Sequence, residues 1–283
     1  MVSAPDFVPA IVAGSARRMR CLGAPTRTLA GGRDWVGDGM TLSERELERY
    51  KRQMLLDGWG VSTQAALKSS AVFVAGAGGL GSPVTMYLAV AGVGRIRLCD
   101  FDSPEMSNLN RQILHEPTDI GKNKAVSGQE TIARLNPDVD VSAITTRIES
   151  DNVDELVGDA KVIVDCMDNI PTRFVLNACA MRKRIPLVHG TVWGLEGRLA
   201  VFRPPETACL QCLFPEAPPR EVFPVVGATP GVIGCLQVVE TLKILTGQGT
   251  TLDGKLLLWD GTNMQFRTFP IARDPDCALC GKR

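Results

Sequence analysis

The sequence predicts an α/β fold, in which a doubly wound, mainly parallel sheet is continued by antiparallel strands. Short apolar, β-branched runs alternate with helical segments from residue 71 to residue 190, which is the pattern of parallel strands joined by helices. The first of these runs ends in a glycine-rich turn at 76–81, GAGGLG. From Thr191 onward the pattern changes to the alternation that is typical of antiparallel strands.

Composition narrows the class of protein. The 283 residues are enough for one large domain or two modest ones, and 31 Lys and Arg balance 31 Asp and Glu. This balance favours neither a nucleic-acid nor a membrane surface as partner, and no apolar run reaches membrane-spanning length. Nine cysteines without a clear signal peptide favour a reduced, cytoplasmic compartment with buried or metal-bound thiols over a disulfide framework.

The first 39 residues differ from the rest of the chain. They are rich in Gly, Ala, Arg and Pro and show no sustained period. An Arg-rich transit peptide is one interpretation. A disordered tail, or upstream sequence from a misassigned start codon, is favoured because patterned sequence begins abruptly at Met40. We therefore expect residues 1–39 to be an extension outside the folded domain.

The first predicted helix opens the patterned region. Ser43 and Glu46 form a capping-box pattern ahead of a helix predicted over Glu44–Leu56. Its apolar stripe comprises Leu47, Tyr50, Met54 and Leu55. A short helix over Gln64–Lys68 then leads into the first strand, Ala71–Ala75.

The glycine turn lies between a predicted strand and a predicted helix. The helix spans Ser82–Ala91, with Ser82 as its cap and Pro83 at the first helical position. A second strand, Arg95–Cys99, ends at Asp100, about 20 residues past the glycines, where nucleotide-binding folds place an acid for ribose hydroxyls. The set predicts a nucleotide site, and the alternative is a merely structural glycine turn.

The remaining elements follow from periodicity and breakers. The predicted helices are Lys124–Leu135, Asn152–Val157, Pro171–Lys183 and Gly231–Leu245, and the predicted strands are Val139–Ile144, Lys161–Val164, Ile185–Val188, Leu195–Arg203, Lys255–Asp260 and Gln265–Pro270. Gly76, Asp100 and residues 165–168 all follow strands, so we expect them at the carboxyl edge of the sheet, where ligands bind in such folds.

Two C-x-x-C pairs supply four soft ligands. Cys209 and Cys212 form the first pair, and Cys277 and Cys280 form the second. Four thiolates suit a closed, structural zinc site, whereas a redox dithiol or unrelated buried cysteines are the alternatives. The other cysteines of the patterned region fall within apolar elements and are expected to be core residues: Cys99, Cys166, Cys179 and Cys235.

A resemblance to a known family rests on motifs that keep their order along the chain. They are RYKRQ (49–53), GAGGLGS (76–82), AGVGRIRLCDFD (91–102), SNLNRQ (107–112), GKNK (121–124), DCMDN (165–169) and the two cysteine pairs. Together they resemble the ThiF/MoeB/HesA family, the adenylyltransferases that activate ubiquitin-like sulfur carriers. The resemblance implies a Rossmann-like fold and one adenylation domain over 40–283, with a nucleotide-binding part (40–190) and a carrier-binding, zinc-bearing part (191–283).

The family's reaction implies ATP, Mg²⁺ and a carrier ending in Gly-Gly as reactants, with pyrophosphate released in a molybdopterin- or thiamine-type sulfur pathway. The implied nucleotide-binding residues are Gly76, Gly78, Gly79, Asp100, Asp102, Asn108, Arg111, Gln112, Lys124, Asp168 and Asn169. Arg111 and Lys124 would counter phosphate charge, and Asp168 would hold Mg²⁺. In the family an arginine from the neighbouring subunit's first helix completes the site. Arg52 matches that arginine, which implies a homodimer.

Two departures from the family concern covalent chemistry. The loop after Cys212, in which some relatives carry a carrier-linking cysteine, has none before Cys235, and no sulfurtransferase domain follows Cys280. We therefore expect no thioester or persulfide on this chain, with a separate sulfurtransferase as a further partner. Cys235 is the nearest spare thiol.

Other functions share parts of this pattern. Adenylation of a different carboxylate, on a peptide or a tRNA, keeps the same residues. A nicotinamide-dependent dehydrogenase, or a scaffold that binds a carrier without turnover, is compatible with the fold alone. Arg111, Lys124 and Asp168 favour adenylation, because they suit a triphosphate with Mg²⁺ and have no task in hydride transfer.

Overall fold

A computed structural model describes residues 41–215 and 224–281 of the chain. The extension predicted over 1–39 and part of the loop after Cys212 lie outside these residues. The strands are β1 Ala71–Ala75, β2 Arg95–Cys99, β3 Asp140–Ile144, β4 Val162–Asp165, β5 Leu187–Trp193, β6 Glu196–Phe202, β7 Lys255–Asp260 and β8 Gln265–Pro270. The helices are α1 Glu44–Arg49, α2 Lys51–Met54, α3 Gly60–Lys68, α4 Gly81–Ala91, α5 Lys124–Leu135, α6 Val153–Val157, α7 Ile170–Lys183, α8 Leu210–Leu213 and α9 Ala228–Thr246.

These strands form one sheet in the order β3-β2-β1-β4-β5-β6-β7-β8. Strands β3 to β5 in that order pair in parallel, and β6, β7 and β8 continue the sheet with antiparallel pairing. The predicted mixed sheet is confirmed. Ala75 pairs with both Cys99 and Asp165, so β1, β2 and β4 end level with one another. The residues that follow them therefore lie side by side at one edge.

Helices cover both faces of the sheet, as in doubly wound folds. On one face, Val72 and Val74 of β1 share a core with Leu88 of α4, Ile132 of α5 and Ile233 of α9. On the other face, Phe73 and Ile163 pack with α6 and α7 through Val153, Val157 and Leu176. Because β1 is buried on both sides, its sequence is a continuous apolar run rather than an alternating one.

The helix predicted over 44–56 is two short helices, so that prediction was wrong in length. The Ser43–Glu46 capping box is present, but the helix ends at Arg49. Tyr50 is buried and its hydroxyl accepts a hydrogen bond from Asn136 Nδ2 at 2.9 Å, and a new helix starts at Lys51. The predicted apolar stripe also fails in part, since Leu47 and Leu55 are 37% and 74% exposed.

The predicted cap of α4 is also wrong. The helix begins at Gly81, so Ser82 lies inside its first turn, where its hydroxyl donates to the Gly78 carbonyl at 2.7 Å. Other elements differ from their predictions only in the residue at which they begin or end. Strand β4 includes Asp165, β5 runs on to Trp193, and α9 starts at Ala228.

Among the described residues, α9 alone has the length and mean apolarity of a membrane-crossing helix. It lies against β5, β6 and α4. Its polar residues are used inside the protein: Gln237 Nε2 donates to the Asp165 and Val188 carbonyls, and the Thr241 hydroxyl donates to the Gln237 carbonyl. These contacts are those of a core helix.

Candidate active site and metal centre

The glycine turn is shaped by two close backbone contacts. Gly76 has φ +97°, in the left-handed region, and a Cβ there would lie 2.9 Å from the Cys166 carbonyl oxygen. A Cβ on Gly81 would lie 1.9 Å from the Gly76 carbonyl oxygen. These glycines let the chain turn tightly from β1 into α4, and the Ser82 amide in the first turn of that helix donates to the Gly78 carbonyl at 2.9 Å. Gly78 and Gly79 are partly exposed within this turn.

Asp100 lies beside the turn. Its Oδ2 accepts from the Ala77 amide at 2.8 Å, and its Oδ1 accepts from the Asp102 amide at 2.9 Å. Burial raises the pKa of Asp100, against these hydrogen bonds and the charge of Lys124, which lower it. Asp102 has an exposed side chain, and its carbonyl accepts from the Lys124 amide at 2.8 Å. The predicted neighbourhood of Asp100 and the glycines is present.

The start of α5 is tied to this acid. Asn123 caps the helix, and its Nδ2 donates to the Asp100 carbonyl at 2.9 Å. Lys124 is only 8% exposed. Within the described part of the chain, no hydrogen bond or ion pair engages its ammonium group. Its charge acts on Asp100 only from beyond ion-pair distance. A buried ammonium group without a hydrogen bond or ion pair is unfavourable, so this site suits an anionic ligand.

A polar loop after β2 carries three further predicted residues, of which Arg111 and Gln112 lie next to the glycine turn. Asn108 Oδ1 accepts from the Glu105 amide at 3.3 Å. Arg111 donates to the Ser107 carbonyl and to Asn110 Oδ1, both at 2.9 Å, and its Cγ would touch a Cβ on Gly79 at 3.5 Å. Gln112 is buried near Gly78, and its Oε1 has no hydrogen-bond partner among the described residues.

His115 belongs to this site but was missed by sequence reasoning. Its Nε2 donates to the Ala77 carbonyl at 2.8 Å, and its Nδ1 lies 2.8 Å from the Ser127 hydroxyl of α5. Burial lowers its pKa, so the ring is neutral. Asp100 and His115 therefore hold the amide and the carbonyl of Ala77. The available signal was its place directly after the polar loop, in a chain with two histidines.

The segment after β4 carries two further predicted site residues, Asp168 and Asn169. Asp168 is exposed, and its Oδ1 accepts from Asn169 Nδ2 at 3.4 Å. No cation in the described ranges lies within ion-pair distance of it. Asn169 has a structural task as well, because its Oδ1 caps α7 through the Thr172 amide at 3.0 Å.

Beneath Asp168 lies a buried polar cluster. Asp165 Oδ2 accepts from His189 Nδ1 at 2.7 Å and lies 3.8 Å from Arg173 Nε. Burial works to raise the pKa of Asp165, but the Arg173 charge and the His189 hydrogen bond outweigh it and lower that pKa. Burial lowers the pKa of His189, which is therefore neutral.

Arg52 stands apart from these residues. It lies exposed on α2, and in the described ranges it makes no hydrogen bond or ion pair. Within one chain the structure thus does not join Arg52 to the edge that holds the glycine turn, Asp100, Arg111 and Lys124.

The two C-x-x-C pairs meet in space. Sulfur atoms of Cys209 and Cys277 are 3.7 Å apart, those of Cys212 and Cys280 are 3.3 Å apart, and all four lie within 4.8 Å of one another. Tetrahedral zinc with Zn–S bonds of about 2.3 Å separates its sulfurs by about 3.8 Å. The four thiols can therefore surround one such ion. Cys99, Cys166 and Cys179 are buried as predicted, whereas Cys235 is partly exposed.

Known proteins share this sequence over nearly its whole patterned length. The model of the ThiF family matches residues 50–279. A Haloferax volcanii protein named SAMP-activating enzyme E1 is 43% identical over 249 residues, which cover 86% of this chain and 92% of that protein. A Thermus thermophilus protein named sulfur carrier protein adenylyltransferase is 41% identical over 253 residues, covering 86% and 93%.

Other similarities are partial or concern the fold. The Mus musculus protein named adenylyltransferase and sulfurtransferase MOCS3 is 42% identical over 86% of this chain, which spans about half (54%) of its length. A crystal structure of E. coli MccB with MccA-N7isoASN shares the fold, with a TM-score of 0.75 and 24% identity over 82% of this chain and 75% of that one. A PaaA crystal structure has a TM-score of 0.72 and 27% identity, covering 84% and 77%. The chain belongs to the ThiF family and is an adenylyltransferase.

Proposed function

We propose that this chain uses ATP and Mg²⁺ to adenylate the C-terminal Gly-Gly carboxylate of a small ubiquitin-like sulfur carrier, in a molybdopterin- or thiamine-type sulfur pathway. The acceptor class comes from the two relatives of matching length, which are named for SAMP activation and for a sulfur carrier. The assignment of ATP as the nucleotide rests on the glycine turn and the residues around it.

The reaction forms a mixed anhydride. A carboxylate oxygen of the carrier attacks the α-phosphorus of ATP, the bond from that phosphorus to the bridging oxygen breaks, and its electron pair leaves with pyrophosphate. The protein must orient the reactants and offset the negative charge of the phosphates. Asp100 would accept from the ribose hydroxyls, the turn at 76–81 would approach the phosphates, and Asn108 and Gln112 would donate to them.

One observation carries this proposal most directly: the Lys124 ammonium group is buried beside Asp100 without an ion-pair partner among the described residues. A triphosphate would supply the missing negative charge. Arg111, whose Cγ lies beside Gly79, would share that task with Lys124.

Asp168 fits a magnesium ligand. Mg²⁺ prefers oxygen ligands and is commonly held by one or two carboxylates together with substrate phosphates. The Asp168 carboxylate is exposed at the same edge, and no described cation neutralises it. When bound, Mg²⁺ would offset phosphate charge. Asn169, the next residue, would contribute to the nucleotide site, although its Oδ1 is already engaged in capping α7.

The cysteine cluster fits a structural zinc ion, and we propose one per chain, bound by Cys209, Cys212, Cys277 and Cys280. Purified protein should contain about one equivalent of zinc. Cys212→Ser should release the metal and lower the melting temperature. As a control, Cys235→Ser should keep both at wild-type values, because Cys235 lies outside the cluster. Zinc-free wild-type protein purified without chelator would contradict this assignment.

The partners and compartment follow from the same proposal. We expect a homodimer in which Arg52 of each chain enters the neighbouring site, a separate sulfurtransferase, and no thioester on this chain. A cytoplasmic location is supported by the eight described cysteines, none of which forms a disulfide.

Pyrophosphate exchange tests the function. Label from pyrophosphate should enter ATP only with a carrier that keeps its final glycine, and not with a carrier that lacks it. Lys124→Ala should lower exchange by about 100-fold, the scale of losing a charge-stabilising group. Lys122→Ala is the matched control, because that partly exposed lysine already pairs with Asp119 and Glu130 and should keep near wild-type activity. Exchange that ignores the carrier, or equal effects of the two variants, would contradict the proposal.

A further inference from the structure

Hydrogen bonds fix successive backbone amide and carbonyl groups in the segment between β4 and α7. The Cys166 amide donates to the Ala75 carbonyl at 2.9 Å, and the Met167 amide donates to Asp165 Oδ1 at 3.0 Å. The next group is the Met167 carbonyl, which belongs to the peptide bond that leads into Asp168. How this carbonyl is held decides where the Asp168 carboxylate stands.

Arg173, in the first turns of α7, holds that carbonyl. It is 4% exposed, and its Nε donates to the Met167 carbonyl at 3.1 Å. Its Nη2 also donates to the Met167 carbonyl, and to the Gly190 carbonyl of β5 at 3.0 Å. One guanidinium group thus links the segment that carries Asp168 to the neighbouring strand. A lysine in its place has no planar fork with which to make these contacts together.

The positive charge of Arg173 is balanced by the carboxylate of Asp165. Asp165 is fully buried and accepts from Nδ1 of a neutral His189, so it needs a cation, and Arg173 lies at 3.8 Å. Buried ion pairs are often no more stabilising than apolar residues of the same size. Stability alone therefore does not account for a buried arginine here, whereas the geometry of the Met167 carbonyl does.

We propose that Arg173 is a positioning residue that fixes the Asp168 carboxylate for Mg²⁺. The inference rests on the proposed function, in which Asp168 takes that ion. The Asp168 side chain has one described hydrogen bond, from Asn169 at 3.4 Å, so its place depends on its backbone. Groups that orient a metal ligand typically change metal affinity by 10- to 100-fold.

The test measures ATP binding by calorimetry in EDTA and in Mg²⁺, and compares the two dissociation constants. Asp168→Asn should abolish the tightening by Mg²⁺. Arg173→Lys keeps the positive charge beside Asp165 and should reduce the tightening by about tenfold, with binding in EDTA unchanged. Arg182→Lys is the matched control: it lies on the same helix, pairs with exposed Asp154, and should behave as wild type.

The possible results distinguish a failure of the inference about Arg173 from a failure of the proposed function on which it rests. If Asp168→Asn loses the tightening while Arg173→Lys keeps it, Arg173 does not position Asp168. If Arg173→Lys weakens binding equally in EDTA and Mg²⁺, its role is general structure and the inference also fails. If Asp168→Asn keeps the tightening, the magnesium role itself is wrong. Should Arg173→Lys not fold, the double variant Asp165→Asn with Arg173→Gln leaves no buried charge unpaired and should show the same selective loss.

Discussion

The two buried cations at the carboxyl edge of the sheet, Arg173 and Lys124, differ in whether they have an ion-pair partner. Arg173 is balanced by Asp165 and uses its donors on backbone carbonyls, whereas Lys124 is buried without an ion pair among the described residues. Burying an unpaired charge costs free energy, and binding an anion recovers that cost. At the level of single residues, the unbalanced charge therefore indicates the ligand, and the balanced charge indicates the support.

The two histidines predict how stability depends on pH. Both are buried with lowered pKa, so the folded chain binds fewer protons than the unfolded chain, whose histidines titrate near about 6.5. The free energy of unfolding should therefore fall as pH falls from 7.5 to 6.0, by at most about 0.8 kcal/mol per histidine, the limit for a ring that takes up no proton in the folded state.

Thermal unfolding of the metal-saturated protein across this range checks that slope. His115→Gln should remove the part of the decline that His115 contributes, because an amide can donate to the Ala77 carbonyl but does not titrate. A melting temperature that is constant with pH, or a variant with the full decline, would contradict the account.

At the level of elements, the junction of β1 and α4 depends on the absence of side chains. Gly76 and Gly81 approach each other so closely that a Cβ on Gly81 would overlap the Gly76 carbonyl oxygen, 1.9 Å away. This contact sets where α4 begins, and it replaces the side-chain cap that the sequence suggested. The turn at 76–81 is thus shaped by backbone packing.

Gly81→Ala should displace the turn and weaken ATP binding by at least about tenfold, although alanine favours helices by about 1 kcal/mol over glycine. Gly231→Ala in α9 is the matched control, because a Cβ there meets nothing within 4 Å and should stabilise the protein slightly. Calorimetry with ATP and melting temperatures distinguish them. Equal ATP affinity in the two variants would show that the turn tolerates a side chain.

Sequence patterns predicted the elements that depend on local or periodic signals. Strands β1, β2, β7 and β8 and helix α5 have the predicted bounds. The break at Tyr50 was not predictable, because it depends on Asn136, 86 residues away. The same reason hides His115 and Arg173, whose partners Ala77 and Gly190 lie elsewhere along the chain. Motif spacing does predict which residues meet at the edge, but their roles stay predictions.

At the level of the whole molecule, Arg52 is the one predicted site residue on a helix away from the carboxyl edge of the sheet. We therefore predict that the site is shared between two copies of the chain. An Arg52→Ala chain and an Asp168→Ala chain should each be inactive. Mixing them should restore about a quarter of wild-type activity, because half of the dimers are hybrids with one intact site of two.

Subunit exchange, verified with differently tagged chains, is the control for this mixing experiment. No recovery under verified exchange would mean that Arg52 acts in its own chain or has no part in the reaction.

The carrier adenylate is the product that the whole account requires. Intact-mass spectrometry of a carrier incubated with this chain, ATP and Mg²⁺ should show the carrier with one added AMP group, which hydroxylamine removes, and no covalent adduct on the enzyme. The adenylate should be absent with Lys124→Ala and present with Lys122→Ala. A carrier that stays unmodified while ATP is consumed, or an enzyme–carrier adduct that Cys235→Ser abolishes, would contradict the account.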